Sequence, residues 1–192
     1  MNWLAHLRLA PAAPLVRLGN LAGDFVRGVD VAALHPELQR GVAQHRAVDR
    51  FVDAHEVHRR GRGRLLPRAR RFAGVALDVF FDHFQARRWG VHGDGGSLAR
   101  FVDGVHDDLD RHCALLPPEL RRLRVGLRAQ GWLHSYGTVE GVERVLEAMA
   151  RRRPRAAPLA AAASELRRCY DEFGADFEEL WPQLTQLTAT HR

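Results

Sequence analysis

Apolar residues recur at helical spacing along almost the whole chain, and no stretch shows the apolar–polar alternation of a half-buried strand. Leu4, Leu7 and Leu9 open an apolar segment that Pro11 and Pro14 break. Leu18 to Val26 reads as a short helix ending near Gly28. Pro36 suits a first helical turn, and the helix it opens runs through His45, Asp49 and Val52 to about His58. Gly61 and Gly63 interrupt it within an Arg-rich stretch. Pro67 opens a helix that carries Phe72, Val75, Val79 and Phe80 and continues to Trp89, with Leu77, Phe81 and Phe84 as its core stripe. Gly90 to Gly96 is a connecting loop. Helices follow over Leu98 to about Leu115, stopped by Pro117 and Pro118, over Glu119 to Leu133, and over Thr138 to Ala150. Arg151 to Arg155 forms a basic joint. A last helix runs from about Leu159 to Trp181, where Pro182 stops it, and the tail after Leu187 frays. The pattern predicts an all-α, single-domain helical bundle covering residues 1–192.

Composition narrows the function. A chain of 192 residues with 46% hydrophobic and 27% charged residues is an ordinary globular mixture. No apolar run is long enough to span a membrane, and the polar start Met1-Asn-Trp-Leu-Ala-His does not resemble a signal peptide, so the expected location is the cytoplasm, with no membrane partner. Cys113 and Cys169 form no Cys-x-x-Cys pair, which argues against a thiolate zinc site. The net charge is +6 and, histidine aside, every basic residue is Arg. Guanidinium forks pair bidentately with carboxylates and phosphates, so the surface suits an acidic partner. Aromatic residues make up 8% of the chain and do not interleave with the basic runs, which speaks against a nucleic-acid-binding protein.

Two short stretches carry the candidate chemistry. In His45-Arg-Ala-Val-Asp49 and in Asp78-Val-Phe-Phe-Asp82-His83, metal-competent side chains stand one helical turn apart, so each pair can aim at one point. Asp78 and Asp82 would repel each other on one turn unless a cation answers them. Imidazole and carboxylate together suit a borderline-to-hard divalent ion, and such an ion activates water and neutralises phosphate charge. A third polar group, Asn2, His6, Gly19-Asn20 and Asp24, sits in an apolar setting near the start of the chain; Asn20 reads either as a helix cap or, with its neighbours, as part of the same site. His55, His58, His92, His106, His112, His134 and His191 have no companion pattern and read as surface or core residues.

Five segments together resemble the acyl carrier protein phosphodiesterase family: Met1-Asn-Trp-Leu-Ala-His-Leu7, Gly19-Asn-Leu-Ala-Gly-Asp-Phe-Val-Arg-Gly28, His45-Arg-Ala-Val-Asp49, Leu77-Asp-Val-Phe-Phe-Asp-His-Phe84 and Met149-Ala-Arg-Arg-Arg-Pro-Arg155. The resemblance implies an HD-domain-like helical fold, although the dyad here reads Asp82-His83 and not His-Asp. It implies hydrolysis of the phosphodiester that joins 4′-phosphopantetheine to a serine of holo-acyl carrier protein. It also implies a divalent cofactor: manganese, with magnesium or iron as alternatives. Within that reaction Asp24, His45, Asp49, Asp78 and Asp82 are the expected metal ligands. Asp24 would orient or deprotonate the water, and His6 or His83 would protonate the leaving serine oxygen. Asn20, Arg27, Arg46, Arg152 and Arg153 would bind the substrate. The Arg59 to Arg71 and Arg151 to Arg155 stretches would dock the acidic carrier protein. The alternative is an HD-like phosphohydrolase acting on a nucleotide or another small phosphorylated molecule.

Overall fold

A computed structural model describes residues 1–67, 69–92, 96–152 and 154–189. Among these residues the fold is all-α. The helices are α1 (Trp3–Leu9), α2 (Pro14–Ala22), α3 (Pro36–Ala54), α4 (Glu56–Arg64), α5 (Ala73–Arg87), α6 (Trp89–His92), α7 (Leu98–Arg111), α8 (Pro118–Ala129), α9 (Trp132–Ser135), α10 (Val139–Arg152), α11 (Ala162–Arg168) and α12 (Tyr170–Ala189). Short 3-10 turns at Gly23–Phe25, Val31–Ala33, Arg70–Phe72, Cys113–Leu115 and Pro154–Ala161 join several of them.

The centre of the bundle is α5. The expected stripe of Leu77, Phe81 and Phe84 is buried, and so are Ala76, Val79 and Phe80 on neighbouring faces. A helix buried on most sides must be covered by several others. α12 covers one face: Phe80 meets Phe173 at 5.2 Å between ring centroids, and Phe81 meets Phe177 at 6.2 Å. α1 crosses another. Arg60 and Arg64 of α4 reach the buried carboxylate of Asp176 on α12, which ties these two helices together.

The tightest junction joins α2 to α3, and glycine makes it. A Cβ on Gly19 would lie 2.3 Å from the carbonyl oxygen of Leu38, and one on Gly41 would lie 2.1 Å from that of Val16. The two backbones touch where any side chain would hold them apart.

Several helix limits differ from the sequence expectation. α3 ends at Ala54, where the His55 imidazole accepts from the Val57 N–H and starts α4. α4 then runs through Gly61 and Gly63, and at Gly61 it packs close to α5, where a Cβ would lie 3.1 Å from the Leu77 side chain. α5 begins at Ala73 and not at Pro67. Gly131, at φ +59°, turns the chain between α8 and α9. α12 continues through Pro182 to Ala189. Both cysteines are free thiols. Among the described residues no helix is long and apolar enough to cross a membrane.

Candidate active site

The site is assembled by the starts of α1 and α5 and by the facing sides of α2 and α3. Asp82 of α5 accepts from the backbone N–H groups of Leu4 (2.7 Å) and Ala5 (2.9 Å). It thereby answers two of the orphan donors that open α1. Burial pushes the Asp82 carboxyl up to about 7 in spite of those two donors. α1 is fixed against α5 in this way, and His6, the next residue, is fixed with it. Asn2 adds a 2.7 Å bond from its side-chain amide to the Tyr136 hydroxyl.

Both imidazoles of the site are held by one residue. The Asn20 side-chain oxygen lies 3.2 Å from His6 Nδ1, and the Asn20 main-chain oxygen lies 2.8 Å from His45 Nδ1. The Asn20 amide nitrogen donates to Gln44, 2.6 Å away, which fixes which end of the amide faces His6. Both oxygens can only accept, so both Nδ1 atoms carry the hydrogen. The Nε2 atoms then turn toward Asp49: His6 Nε2 is 3.1 Å from its Oδ1, and His45 Nε2 is 3.0 Å from its Oδ2. The two rings stack with centroids 3.9 Å apart. Gly23 permits this placement, since a Cβ there would lie 2.2 Å from the His45 ring.

Burial holds His6 below the ordinary imidazole range. It opposes ionisation of Asp49 as well, but the contacts with His45, His6 and the Met1 ammonium prevail and keep that carboxyl well below its usual range. With hydrogen on both Nδ1 atoms, an Nε2 that carries no second proton aims a lone pair at the Asp49 carboxylate, and a cation among the three relieves that opposition. One donor atom each from His6, His45 and Asp49 lies within 4.8 Å of the others, so these residues could hold a metal ion. Asn20, acting on both Nδ1 atoms, is the kind of outer partner that orients ligating histidines.

Above this group opens a cleft of about 850 Å³. It is lined by the carboxylates of Asp24, Asp49, Asp53, Asp78 and Glu119 and by apolar residues that include Trp3, Phe25, Leu123, Trp132 and Met149. The Met1 α-ammonium sits 3.0 Å from Asp78 Oδ1 and 3.4 Å from Asp49 Oδ1. Burial opposes its charge, but Asp78 and Asp49 raise it to about 10. Asp24 receives the Trp3 indole N–H at 2.9 Å on Oδ2, and its Oδ1 lies 3.7 Å from His45 Nε2.

The expected site residues therefore divide. Asp24, His45, Asp49, His6 and Asn20 come together. Asp78 lines the cleft but faces the Met1 ammonium. Asp82 is fully buried and bonded to the main chain of α1. His83 points the other way: its Nδ1 lies 2.7 Å from the Tyr136 carbonyl and its Nε2 2.9 Å from the Tyr170 hydroxyl. Arg27 and Arg46 are exposed and do not line the cleft. Arg152 closes α10, and Arg153 lies outside the described residues. Of the Arg59 to Arg71 stretch, Arg59 pairs with Glu56, while Arg60 and Arg64 pair with Asp176. Arg122 of α8 is a cleft residue that sequence reasoning missed, and among the described lining residues it supplies the one guanidinium. It belongs to no motif, and only the docking of α8 brings it to the cleft.

Fold and site together define an all-α protein with a His–His–Asp group, able to hold a metal ion, at the floor of an acidic cleft. The profile of the family described as acyl carrier protein phosphodiesterase matches residues 1–184. The chain is 36% identical over 186 residues to the acyl carrier protein phosphodiesterase of Serratia proteamaculans, covering 97% of this chain and 96% of the relative. It is 32% identical over 192 residues to that of Pectobacterium atrosepticum, covering 100% of both. It is 34% identical to that of Yersinia enterocolitica over 184 residues, or 96% of this chain and 95% of the relative. No solved structure gives a significant match. The chain belongs to the acyl carrier protein phosphodiesterase family.

Proposed function

We propose that the protein hydrolyses the phosphodiester of holo-acyl carrier protein, releasing 4′-phosphopantetheine and the apo carrier protein, and that it works in the cytoplasm. The observation that carries this reading is the pair of Asn20-held imidazoles converging on Asp49, which lines a cleft of carboxylates and apolar residues. Family membership supplies the substrate class. The donor set fits manganese, with magnesium or iron as alternatives; when bound, such an ion would lower the pKa of a water and neutralise charge on a phosphate oxygen.

The chain's own residues do the rest. His6, His45 and Asp49 would hold the ion, and Asp24 stands beside them. The Trp3 indole anchors Asp24 Oδ2 and leaves Oδ1 toward the cleft, so Asp24 is placed to orient the attacking water and take its proton. The water oxygen bonds to phosphorus as the bond from phosphorus to the serine oxygen breaks. A proton from water in the open cleft neutralises the departing alkoxide, since His6 and His83 are both closed in by their own partners. Arg122 is placed to pair with a non-bridging phosphate oxygen. The apolar wall of Trp3, Phe25 and Trp132 would receive the slender pantetheine arm, and the cleft volume is in the range usual for small-molecule sites.

The test is to incubate metal-loaded protein with holo carrier protein and Mn²⁺ and to follow the carrier's mass. Loss of the phosphopantetheine mass is expected, and Asp49→Asn, which weakens the ligand group and keeps its shape, should slow that loss at least 100-fold. A folded, manganese-loaded protein that leaves holo carrier protein intact overturns the reading.

A further inference from the structure

One buried imidazole lies outside the group already described and has no partner. His58, on α4, has a side chain only 2% exposed, yet neither ring nitrogen makes a hydrogen bond. An unanswered buried polar group of this kind is destabilising, and a leucine would fill the space without that cost. Two carboxylates flank the ring: Asp53 Oδ1 lies 3.9 Å from Nδ1, and Asp78 Oδ1 lies 3.9 Å from Nε2. That distance is too long for a hydrogen bond. It does match the span across a cation, because first-row divalent ions hold imidazole nitrogen and carboxylate oxygen at about 2.0–2.2 Å. Two donors so separated can each reach an ion lying between them at a wide angle.

The surroundings favour positive charge on the Asp78 side. Asp78 lines the cleft with Asp24, Asp49, Asp53 and Glu119, whose negative charges together exceed those of the Met1 ammonium beside Asp78 and of Arg122. On the other side of the ring a hollow of about 240 Å³ is lined by Asp53, His58 and Arg62. Arg59 and Arg62 both line that hollow and disfavour a cation there, whereas Asp78, on the Nε2 side, lines the main cleft. Asp53, on the Nδ1 side, would close that 3.9 Å gap to take the Nδ1 hydrogen, giving the carboxylate–imidazole–metal order that fixes a ligating histidine.

We infer that His58 and Asp78, supported by Asp53, form a second divalent-cation site beside the His6–His45–Asp49 group. Two cations in one cleft is an arrangement suited to holding both the attacking and the departing oxygen of a phosphodiester. That use of the site rests on the proposed function, whereas the number of ions bound does not.

The experiment is a metal count on the whole chain. Metal-free protein is saturated with Mn²⁺, separated from free ion and measured by mass spectrometry of the metal, with electron paramagnetic resonance of the same samples. Wild type should carry two Mn²⁺ per chain and show the broadened signal of neighbouring ions. His58→Gln should carry one, with the resolved signal of an isolated ion. Asp53→Asn should keep two at saturation but hold the second about tenfold more weakly. One Mn²⁺ per saturated wild-type chain overturns the inference whether or not the variants fold. So does a His58→Gln protein, helical by circular dichroism, that still carries two. Turnover of holo carrier protein with a single ion would sink this site and leave the phosphodiesterase reading standing; two ions without turnover would do the reverse.

Discussion

At the scale of single residues, the neighbouring carboxylates of α5 show how environment divides like side chains. Asp78 and Asp82 stand one turn apart, and spacing alone assigns both to a metal. Their partners differ, because Asp78 faces the cleft and the Met1 ammonium while Asp82 receives two main-chain N–H groups under the start of α1. Spacing tells which residues share a helix face, but not which other element covers it. His45 and Asp49 do meet, Nε2 to Oδ2 at 3.0 Å, with the His45 ring seated against Asn20 and Gly23. The role of Asp82 has a consequence for pH. Burial raises its carboxyl from 3.8 to about 7, so between these values the native chain keeps a proton that the unfolded chain has released. Its contribution to stability is therefore fully present below about pH 4 and is lost as pH rises through about 7. Asp82→Asn keeps an acceptor for α1 and cannot ionise. Urea denaturation should show variant stability gaining on wild type by up to about 4 kcal/mol between pH 4 and pH 8. Parallel curves for the two proteins would mean that Asp82 does not titrate in this range.

At the scale of elements, the contact between α2 and α3 sets the site, since it brings Asn20 against His45. The sequence marks this contact only as glycines inside otherwise helical stretches, a signal that also marks weak helix positions. Structure separates the two kinds. A Cβ on Gly41 would meet Val16 O at 2.1 Å and Asn20 N at 2.6 Å, whereas one on Gly104, within α7, would meet nothing within 4 Å. Gly41→Ala must therefore push α2 away from α3, destabilising the chain by about 1–3 kcal/mol and moving Asn20 off the imidazoles. Gly104→Ala should instead stabilise by about 0.5–1 kcal/mol, the ordinary gain of alanine in a helix interior. Thermal unfolding of the two variants should shift in opposite directions, and a common direction would refute this account of the α2–α3 junction. Helix existence and the α5 stripe were legible from periodicity. The continuation of α12 through Pro182 was not, because the cost of proline inside a helix is set against tertiary burial that periodicity cannot weigh: Trp181 and Leu184 flank it and are buried. His58 was illegible for a similar reason. Its relation to Asp53 spans the break between α3 and α4, and its relation to Asp78 depends on how α4 meets α5.

At the scale of the whole molecule, the excess of positive charge has two destinations. Part of it is internal: Arg60 and Arg64 hold Asp176, Arg124 and Arg128 hold Asp110, and Arg167 pairs with Glu143. The net excess acts at a distance, and Arg122 lies at the cleft itself, with Arg71 next to the cleft residue Phe72. A chain of net charge +6 with cations beside an acidic pocket attracts an acidic protein on approach, while the pocket receives only the part that enters it. Such attraction acts on the encounter rate and is screened over about 8 Å at physiological salt. Turnover of holo carrier protein should therefore lose about tenfold or more in kcat/KM between 50 mM and 500 mM NaCl, both rough settings for weak and strong screening, while kcat changes little. Arg122→Gln should lower kcat as well as kcat/KM, because it removes a contact to the phosphate and not only a long-range charge. A small phosphorylated substrate needs no such docking surface, so equal rates at the two salt concentrations would move the assignment from the carrier protein to the small-molecule alternative.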